Sequence, residues 1–196
     1  MNYNLSTQNK FGTRQLTVVG MLSGISIMLG LTGYGFIPLP LAKATIMHIP
    51  VIVGTLIEGP VVGMLVGLIF GIFSVIQNIT TPSLLSFAFM NPLVSILPRV
   101  LIAITTYYSY KIMRGNQGVK AGVAAAIGSL TNTFGVLTMV YILYAARFAQ
   151  AKHISESLVA KTIYLGIAVP NGIPEAIIAV IITVPLVMAV KKMKKQ

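Results

Sequence analysis

The 196-residue sequence contains no cysteine and no tryptophan. It also lacks aspartate, so its acids are Glu58, Glu156 and Glu175. The missing cysteines exclude disulfides, thiolate metal sites and cysteine nucleophiles. The missing aspartates exclude a Walker B acid and an aspartyl dyad within this chain. Charged residues make up 9% of the sequence, against about 25% in an average soluble protein, which excludes an ordinary soluble domain.

Recognised catalytic motifs are also absent. The sequence has no GxxxxGK[ST] phosphate loop, no HExxH and no GxSxG motif, so we predict a non-catalytic protein that does not hydrolyse ATP by the P-loop route. We expect no metal and no cofactor. The net charge of +11 is interpreted as flanking charge on a membrane protein and not as a nucleic-acid surface.

Apolar stretches dominate what is present. A membrane-crossing helix needs roughly 20 mostly apolar residues. The predicted fold is an all-α membrane protein, a compact bundle of six transmembrane helices in one domain, residues 1–196. The predicted spans are residues 16–37, 46–57, 61–76, 92–108, 119–146 and 173–190, of which the second is short. A short interfacial helix is predicted at residues 83–90.

Turn and cap residues set the predicted breaks between these helices. Gly59 ends one helix and Pro60 starts the next, because Gly suits a C-cap and Pro a first turn. Asn91 and Asn171 are each predicted to cap the start of a helix. Residues 113–118 form a turn with basic neighbours.

The distribution of basic residues predicts the orientation. With six spans, both termini lie on one side. That side holds nine cations: Lys10, Arg14, Lys111, Arg114, Lys120, Lys191, Lys192, Lys194 and Lys195. The opposite side holds four: Lys43, Arg147, Lys152 and Lys161. The positive-inside rule therefore predicts that both termini are cytoplasmic.

Arg99 is the remaining cation, and it lies inside a predicted span. Burying an arginine there costs a few kcal/mol, so such residues face a cavity or a partner. One interpretation is a counter-ion for an anionic ligand, because a guanidinium matches a carboxylate with two hydrogen bonds. The alternative is a structural ion pair with Glu175. Glu175 itself is predicted in the first turn of the last span, where it either stabilises the helix dipole or contacts ligand.

Further polar residues are candidates for ligand contact. Asn132 lies in a Thr-Asn-Thr triplet at mid-membrane depth and needs hydrogen-bond partners, from a ligand or from a neighbouring helix. Asn78 and Asn91 flank the loop between the third and fourth spans and serve as helix caps or ligand contacts. His48 lies at the start of the short second span, directly before Ile49-Pro50. Tyr164 falls on the outer side, where it lines or covers a pocket.

Small residues recur every four positions in two spans. Gly63 and Gly67 continue to Gly71 in the third span, and Gly20 and Gly24 form a pair in the first. Residues at this spacing share one helix face and let helices approach closely. The faces serve packing within the protein or contact with a partner subunit, and a partner is favoured for the first span.

Three runs of sequence resemble the substrate-binding S components of energy-coupling factor (ECF) vitamin transporters. They are TIMHIPVIVG at residues 45–54, GPVVGMLVG at 59–67 and FMNPLVSILPR at 89–99. The resemblance implies a subunit of the bacterial plasma membrane that captures a vitamin on the outer face. It also implies docking on a transmembrane scaffold subunit with two cytoplasmic ATPases. In the family an AxxxA pair on the first helix meets the scaffold; here Gly20 and Gly24 take its place.

Among family members the sequence looks most like the pantothenate-specific ones. Pantothenate offers a carboxylate for Arg99 and hydroxyls and an amide for Asn132 and Asn91. Cobalamin, pyridoxine and hydroxymethylpyrimidine remain alternative cargoes. A self-sufficient secondary transporter is a further alternative, although it would be expected to show inverted repeats and ion-coupling acids at mid-depth.

Overall fold

The computed structural model describes residues 12–38 and 43–193, and it is almost entirely helical. The helices are α1 (Thr13–Thr32), α2 (Ile49–Glu58), α3 (Pro60–Thr80), α4 (Ser86–Phe89), α5 (Pro92–Ser95), α6 (Leu97–Ile112), α7 (Gln117–Lys152), α8 (Glu156–Lys161) and α9 (Val169–Met193). A π-helical turn, Thr162–Ala168, joins α8 to α9. Five helical segments of the described chain are long and apolar enough to cross a membrane.

A short hairpin follows α1. The helix ends at Gly33, whose φ of 76° is a left-handed conformation that glycine adopts without strain. Strands β1 (Phe36–Pro38) and β2 (Lys43–Thr45) then pair antiparallel, with Phe36 opposite Thr45. The prediction of a helix through residue 37 was wrong, because Gly33 ends α1 in its left-handed conformation and residues 36–38 form a strand.

Helix α2 lies at the centre of the bundle. It contacts α1, α3, α6, α7 and α9, and eight of its ten residues are buried. Ten residues span about 15 Å, half of a hydrocarbon core about 30 Å thick. The predicted turn after α2 is confirmed: Gly59 has φ 102° and Pro60 begins α3.

Helix α3 packs its glycine face against α6. A Cβ atom on Gly67 would overlap the Arg99 carbonyl oxygen, and one on Gly71 would lie 2.7 Å from the Ile96 Cα. Gly63 lies against Thr55 of α2 and Ala103 of α6. These glycines bring the α3 backbone next to the helix that carries Arg99.

The segment between α3 and α6 is stepped. The predicted interfacial helix is present as α4, and the predicted cap is confirmed, because the Asn91 side chain accepts a hydrogen bond from the Leu93 N–H at 2.9 Å. Pro98 then interrupts the hydrogen bonding between α5 and α6, since proline has no N–H to donate. Arg99 therefore lies in the first turn of α6.

The last two spans are longer than predicted. Helix α7 runs for 36 residues and bends at Tyr144, where φ is −138°. The final span begins at Glu156, so the expectation that Asn171 caps its start and that Glu175 lies in its first turn was wrong. Local π adjustments satisfy backbone groups that prolines leave unpaired in membrane helices, and the π-helical turn here ends two residues before Pro170.

Contacts between helix ends define two ends of the bundle. At the terminal end, Arg14 pairs with Glu58 and Lys191 contacts Tyr110. At the other end, which we call the cavity end, Gln77 of α3 contacts Gly30 of α1. Lys10, Lys194 and Lys195, which were counted on the terminal side, lie outside the described residues.

Candidate functional site

A cavity of about 410 Å³ opens between the hairpin and helices α3, α6, α7 and α9. Its volume lies within the range of small-ligand sites, roughly 300–1,000 Å³. The polar lining residues are Thr45, Ser74, Gln77, Asn78, Ser83, Arg99, Asn132, Thr133, Asn171 and Glu175. The apolar lining residues are Phe36, Met47, Phe70, Leu85, Phe89, Val136, Leu137 and Ile167. Ten polar and eight apolar residues therefore line the cavity together.

Arg99 is the cation of this cavity, and its side chain is 6% exposed. One guanidinium nitrogen donates to the Val94 carbonyl oxygen at 2.8 Å. That carbonyl is the acceptor that Pro98, four residues later, cannot use. The proline therefore leaves free the carbonyl oxygen that holds one terminal nitrogen of the guanidinium in place.

The rest of the Arg99 guanidinium lacks an anionic partner within the described residues. Its Nε is buried without a hydrogen bond. The ion pair that the described residues contain joins Arg14 to Glu58, at the terminal end of the bundle. The described residues therefore contain no ion pair between Arg99 and Glu175, which was the alternative interpretation of Arg99. A buried, uncompensated guanidinium favours an anion beside it.

Two aromatic rings flank the same guanidinium. The Arg99 Cζ lies 5.5 Å from the Phe70 ring centroid and 5.7 Å from that of Phe89. Cation–π attraction of this kind offsets part of the cost of burying the charge. The rings also exclude water, which strengthens any electrostatic contact that Arg99 makes with a ligand.

Glu175 ties the hairpin to the helical wall. Its carboxylate accepts a hydrogen bond of 2.7 Å from the Thr45 backbone N–H, and a second, short one from the Thr133 hydroxyl. These two donors compensate the buried carboxylate without a cation. Glu175 therefore connects β2, α7 and α9 at the edge of the cavity.

Two amide side chains present unpaired oxygens at the cavity wall. The Oδ1 atoms of Asn132 and Asn171 are both buried and have no hydrogen-bond partner. Buried polar atoms are nearly always paired in folded proteins, so each such exception needs an explanation. A ligand with hydroxyl or amide groups supplies the missing partners. Either amide can rotate to present its donor group.

The α3 side of the cavity is organised by a local hydrogen-bond network. Asn78 accepts from the Ser86 hydroxyl at 2.7 Å, and Ser86 accepts from the Ser83 N–H at 2.7 Å. Gln77 donates to the Gly30 carbonyl oxygen of α1 at 3.0 Å. The network fixes the loop between α3 and α4 over the cavity.

The structure gathers four of the seven residues proposed from sequence at this cavity, namely Arg99, Asn132, Glu175 and Asn78. His48, Asn91 and Tyr164 are not in its lining. The His48 ring is fully buried behind the wall, with Nε2 2.9 Å from the Ser129 hydroxyl oxygen. Asn91 caps α5 and donates to the Tyr144 hydroxyl. Tyr164 contacts the Thr138 hydroxyl and stacks with Phe134.

Several lining residues were not selected from the sequence as ligand contacts, among them Asn171, Gln77, Ser74 and Thr133. A signal for Asn171 was available, because it lies four residues before Glu175 and therefore shares its face once the helix is continuous. Ser74 and Asn78 have the same spacing on an otherwise apolar helix. The aromatic residues that flank Arg99 gave no such signal.

The glycines proposed for a partner interface fall into two groups. Gly63 and Gly67 are buried in the packing of α3 against α2 and α6, as the intramolecular alternative describes. Gly20 and Gly24 are exposed on α1, and a Cβ atom on either would meet nothing within 4 Å. Among the described residues, this pair opens onto the surface.

Comparison with known proteins gives two concordant findings. Residues 14–187 match the family described as "ECF transporter, substrate-specific component". The chain is also 33% identical over 169 residues to the "Pantothenic acid transporter PanT" of Lactococcus lactis subsp. cremoris (strain MG1363). That alignment covers 79% of this chain and 81% of the relative.

Proposed function

Because the chain belongs to the substrate-specific components of ECF transporters, we propose that it is the membrane-embedded vitamin-binding subunit of an ATP-driven importer, with pantothenate as its cargo. As a member of this family it is a transporter subunit and not an enzyme. The energy for import comes from partner subunits in this proposal, since the sequence carries no P-loop.

The observation that carries the proposal is the state of Arg99. A nearly fully buried guanidinium lines the cavity and has no carboxylate partner among the described residues. A ligand carboxylate would accept two hydrogen bonds from it in a setting where water competes little. A cargo with one carboxylate fits this arrangement better than a neutral one.

Pantothenate also matches the remaining walls. Its hydroxyls and amide pair with the unpaired oxygens of Asn132 and Asn171. Its gem-dimethyl group suits the apolar part of the lining around Val136 and Leu137. The PanT relative, which is named as a pantothenic acid transporter, supports the same cargo.

The cavity lies at the end of the bundle away from the described ends of the chain, Gly12 and Met193. With the termini in the cytoplasm, as the charge distribution predicts, this end faces outward. The proposed sequence of events is capture from outside, docking on a scaffold subunit with two cytoplasmic ATPases, and release inward. The exposed Gly20–Gly24 face of α1 is the proposed contact with the scaffold, in a bacterial plasma membrane.

Calorimetric titration of the purified chain in detergent tests the cargo and the role of Arg99 together. The Arg99→Met variant should weaken pantothenate binding by about 100-fold, which corresponds to losing roughly 3 kcal/mol of charge-assisted hydrogen bonding. Arg114→Met, an exposed arginine at the terminal end, is the matched control and should bind normally. Pantothenol, which carries an alcohol in place of the carboxylate, should bind wild type as weakly as pantothenate binds Arg99→Met.

Other outcomes separate the parts of the proposal. Tight binding of cobalamin, pyridoxine or hydroxymethylpyrimidine in place of pantothenate would retain the importer and replace the cargo. Equal binding of pantothenate and pantothenol would contradict the assignment of Arg99 to the carboxylate. Pantothenate uptake by liposomes that contain this chain alone would favour a secondary transporter over an ECF subunit.

A further inference from the structure

At the terminal end of the bundle, two lysine side chains from two helices meet at the aromatic ring of a tyrosine from a third helix. Tyr110 comes from α6, Lys120 from α7 and Lys191 from α9, and all three are half-buried. The ammonium nitrogens of Lys120 and Lys191 lie 4.8 Å and 4.2 Å from the Tyr110 ring centroid. Lys191 also donates a hydrogen bond of 2.7 Å to the Tyr110 hydroxyl. We call these residues the tyrosine–lysine cluster.

Among the described residues, neither lysine of the cluster forms an ion pair that would balance its charge. Glu175 lies at the cavity and Glu156 begins α8, both away from the terminal end, while Glu58 pairs with Arg14. The other described cations of this end add charge of the same sign, namely Lys111, Arg114 and Lys192. Like charges held close together repel, and an anion placed between them removes that cost.

The surface next to the cluster has both a charged and an apolar part. A groove of about 580 Å³ is lined by Gln117, Met188, Ala189, Lys191 and Lys192. Apolar side chains are exposed at the same end, among them Ile112, Val119 and Met193. A free anion would gain nothing from this apolar surface, whereas the acyl chains of a lipid would cover it.

We propose that the tyrosine–lysine cluster and its groove bind the phosphate group of an anionic membrane lipid. The two ammonium groups hold the phosphodiester oxygens, and the lipid tail lies along the exposed end of α9. Basic pockets between membrane helices on the cytoplasmic side suit such headgroups. This site is separate from the vitamin cavity, so it stands or falls independently of the proposed cargo.

Native mass spectrometry of the purified full chain provides the test. Palmitoyl-oleoyl phosphatidylglycerol should remain bound in preference to phosphatidylcholine with the same tails. The double variant Lys120→Gln/Lys191→Gln should lower phosphatidylglycerol binding roughly tenfold or more, because it removes both ammonium groups that contact the phosphate. The control Lys111→Gln/Arg114→Gln removes the same charge from the same end and should change binding less than about twofold.

A second pair of variants separates loss of the site from loss of the fold. Lys120→Arg/Lys191→Arg keeps both charges and should retain binding, whereas Tyr110→Leu removes the ring that positions them and should weaken it. Equal losses in the two glutamine variants, or equal binding of the two lipids, would reduce the effect to general surface charge and overturn the proposal. Binding of inorganic phosphate as tight as that of phosphatidylglycerol would overturn the assignment to a lipid.

Discussion

Single residues decide the chemistry of the cavity, and Pro98 shows how. By leaving the Val94 carbonyl without a backbone donor, it provides an acceptor at 2.8 Å for the neighbouring Arg99. One arm of the guanidinium is thereby fixed, and the others stay available for a ligand. Rigid placement of this kind lowers the entropic cost of binding.

Asn171 provides a prediction at this scale. Asn171→Ala should weaken pantothenate binding by about fivefold to tenfold, because one hydrogen bond contributes roughly 1 kcal/mol. The protein should keep its thermal stability, since the Asn171 Oδ1 has no partner inside the protein. Gln150→Ala, which removes an exposed amide from α7, is the control for titration and melting. Unchanged affinity in Asn171→Ala would remove this residue from the proposed ligand contacts.

Much of the cavity chemistry was accessible from sequence, but not all of it. Arg99 stood out because a charge inside an apolar stretch is costly, and Glu175 because acids are scarce. Asn171 was misassigned as a cap, because an asparagine followed closely by a proline such as Pro174 and an apolar run normally marks a helix start. His48 and Tyr164 are close in sequence to residues that line the cavity, but their side chains contact neighbouring helices. The pattern of residues in the sequence did not give the direction of these side chains.

At the scale of elements, the close approach of α3 to α6 places Arg99. Gly67 has room for no side chain, because a Cβ atom there would overlap the Arg99 backbone carbonyl. The apolar stretches and the Gly59-Pro60 break predicted α2 and α3 well. The hairpin was missed because it depends on pairing between strands that are short and rich in neighbouring prolines, with no alternating pattern.

Gly67→Ala should therefore push α6 away from α3. We expect the melting temperature to fall by about 5 °C, as overpacking costs about 1–3 kcal/mol, and pantothenate affinity to fall with it. Gly122→Ala is the matched control, since its Cβ would lie 3.5 Å from Val180, an ordinary contact. Differential scanning fluorimetry with and without pantothenate measures both effects. A stable Gly67→Ala protein with normal affinity would show that α6 does not depend on this contact.

At the scale of the whole molecule, the cavity and the proposed partner face are different surfaces. The cavity lies at one end, and the exposed Gly20–Gly24 face runs along the side of the bundle. The two can therefore be altered separately. The same separation applies to the terminal end, where the tyrosine–lysine cluster lies far along α9 from Glu175.

Gly20→Leu and Gly24→Leu should leave pantothenate binding by the isolated chain unchanged and stop uptake in cells that supply the partner subunits. Each substitution fills the small-residue face that lets another helix approach. Ala146→Leu adds the same bulk at an exposed position of α7 and should not affect uptake. Full uptake in both glycine variants would show that the scaffold contacts another face.

The length of α2 has a consequence for the whole bundle. A helix of ten residues fills half the depth that its neighbours cross, and the hairpin that precedes it contributes Phe36 and Thr45 to the cavity wall. The cavity therefore occupies the depth of the bundle that α2 leaves unfilled. Room for a ligand arises because one central helix is short while the helices around it keep their full length. Extending α2 by two turns toward the hairpin would fill this cavity with the protein's own backbone.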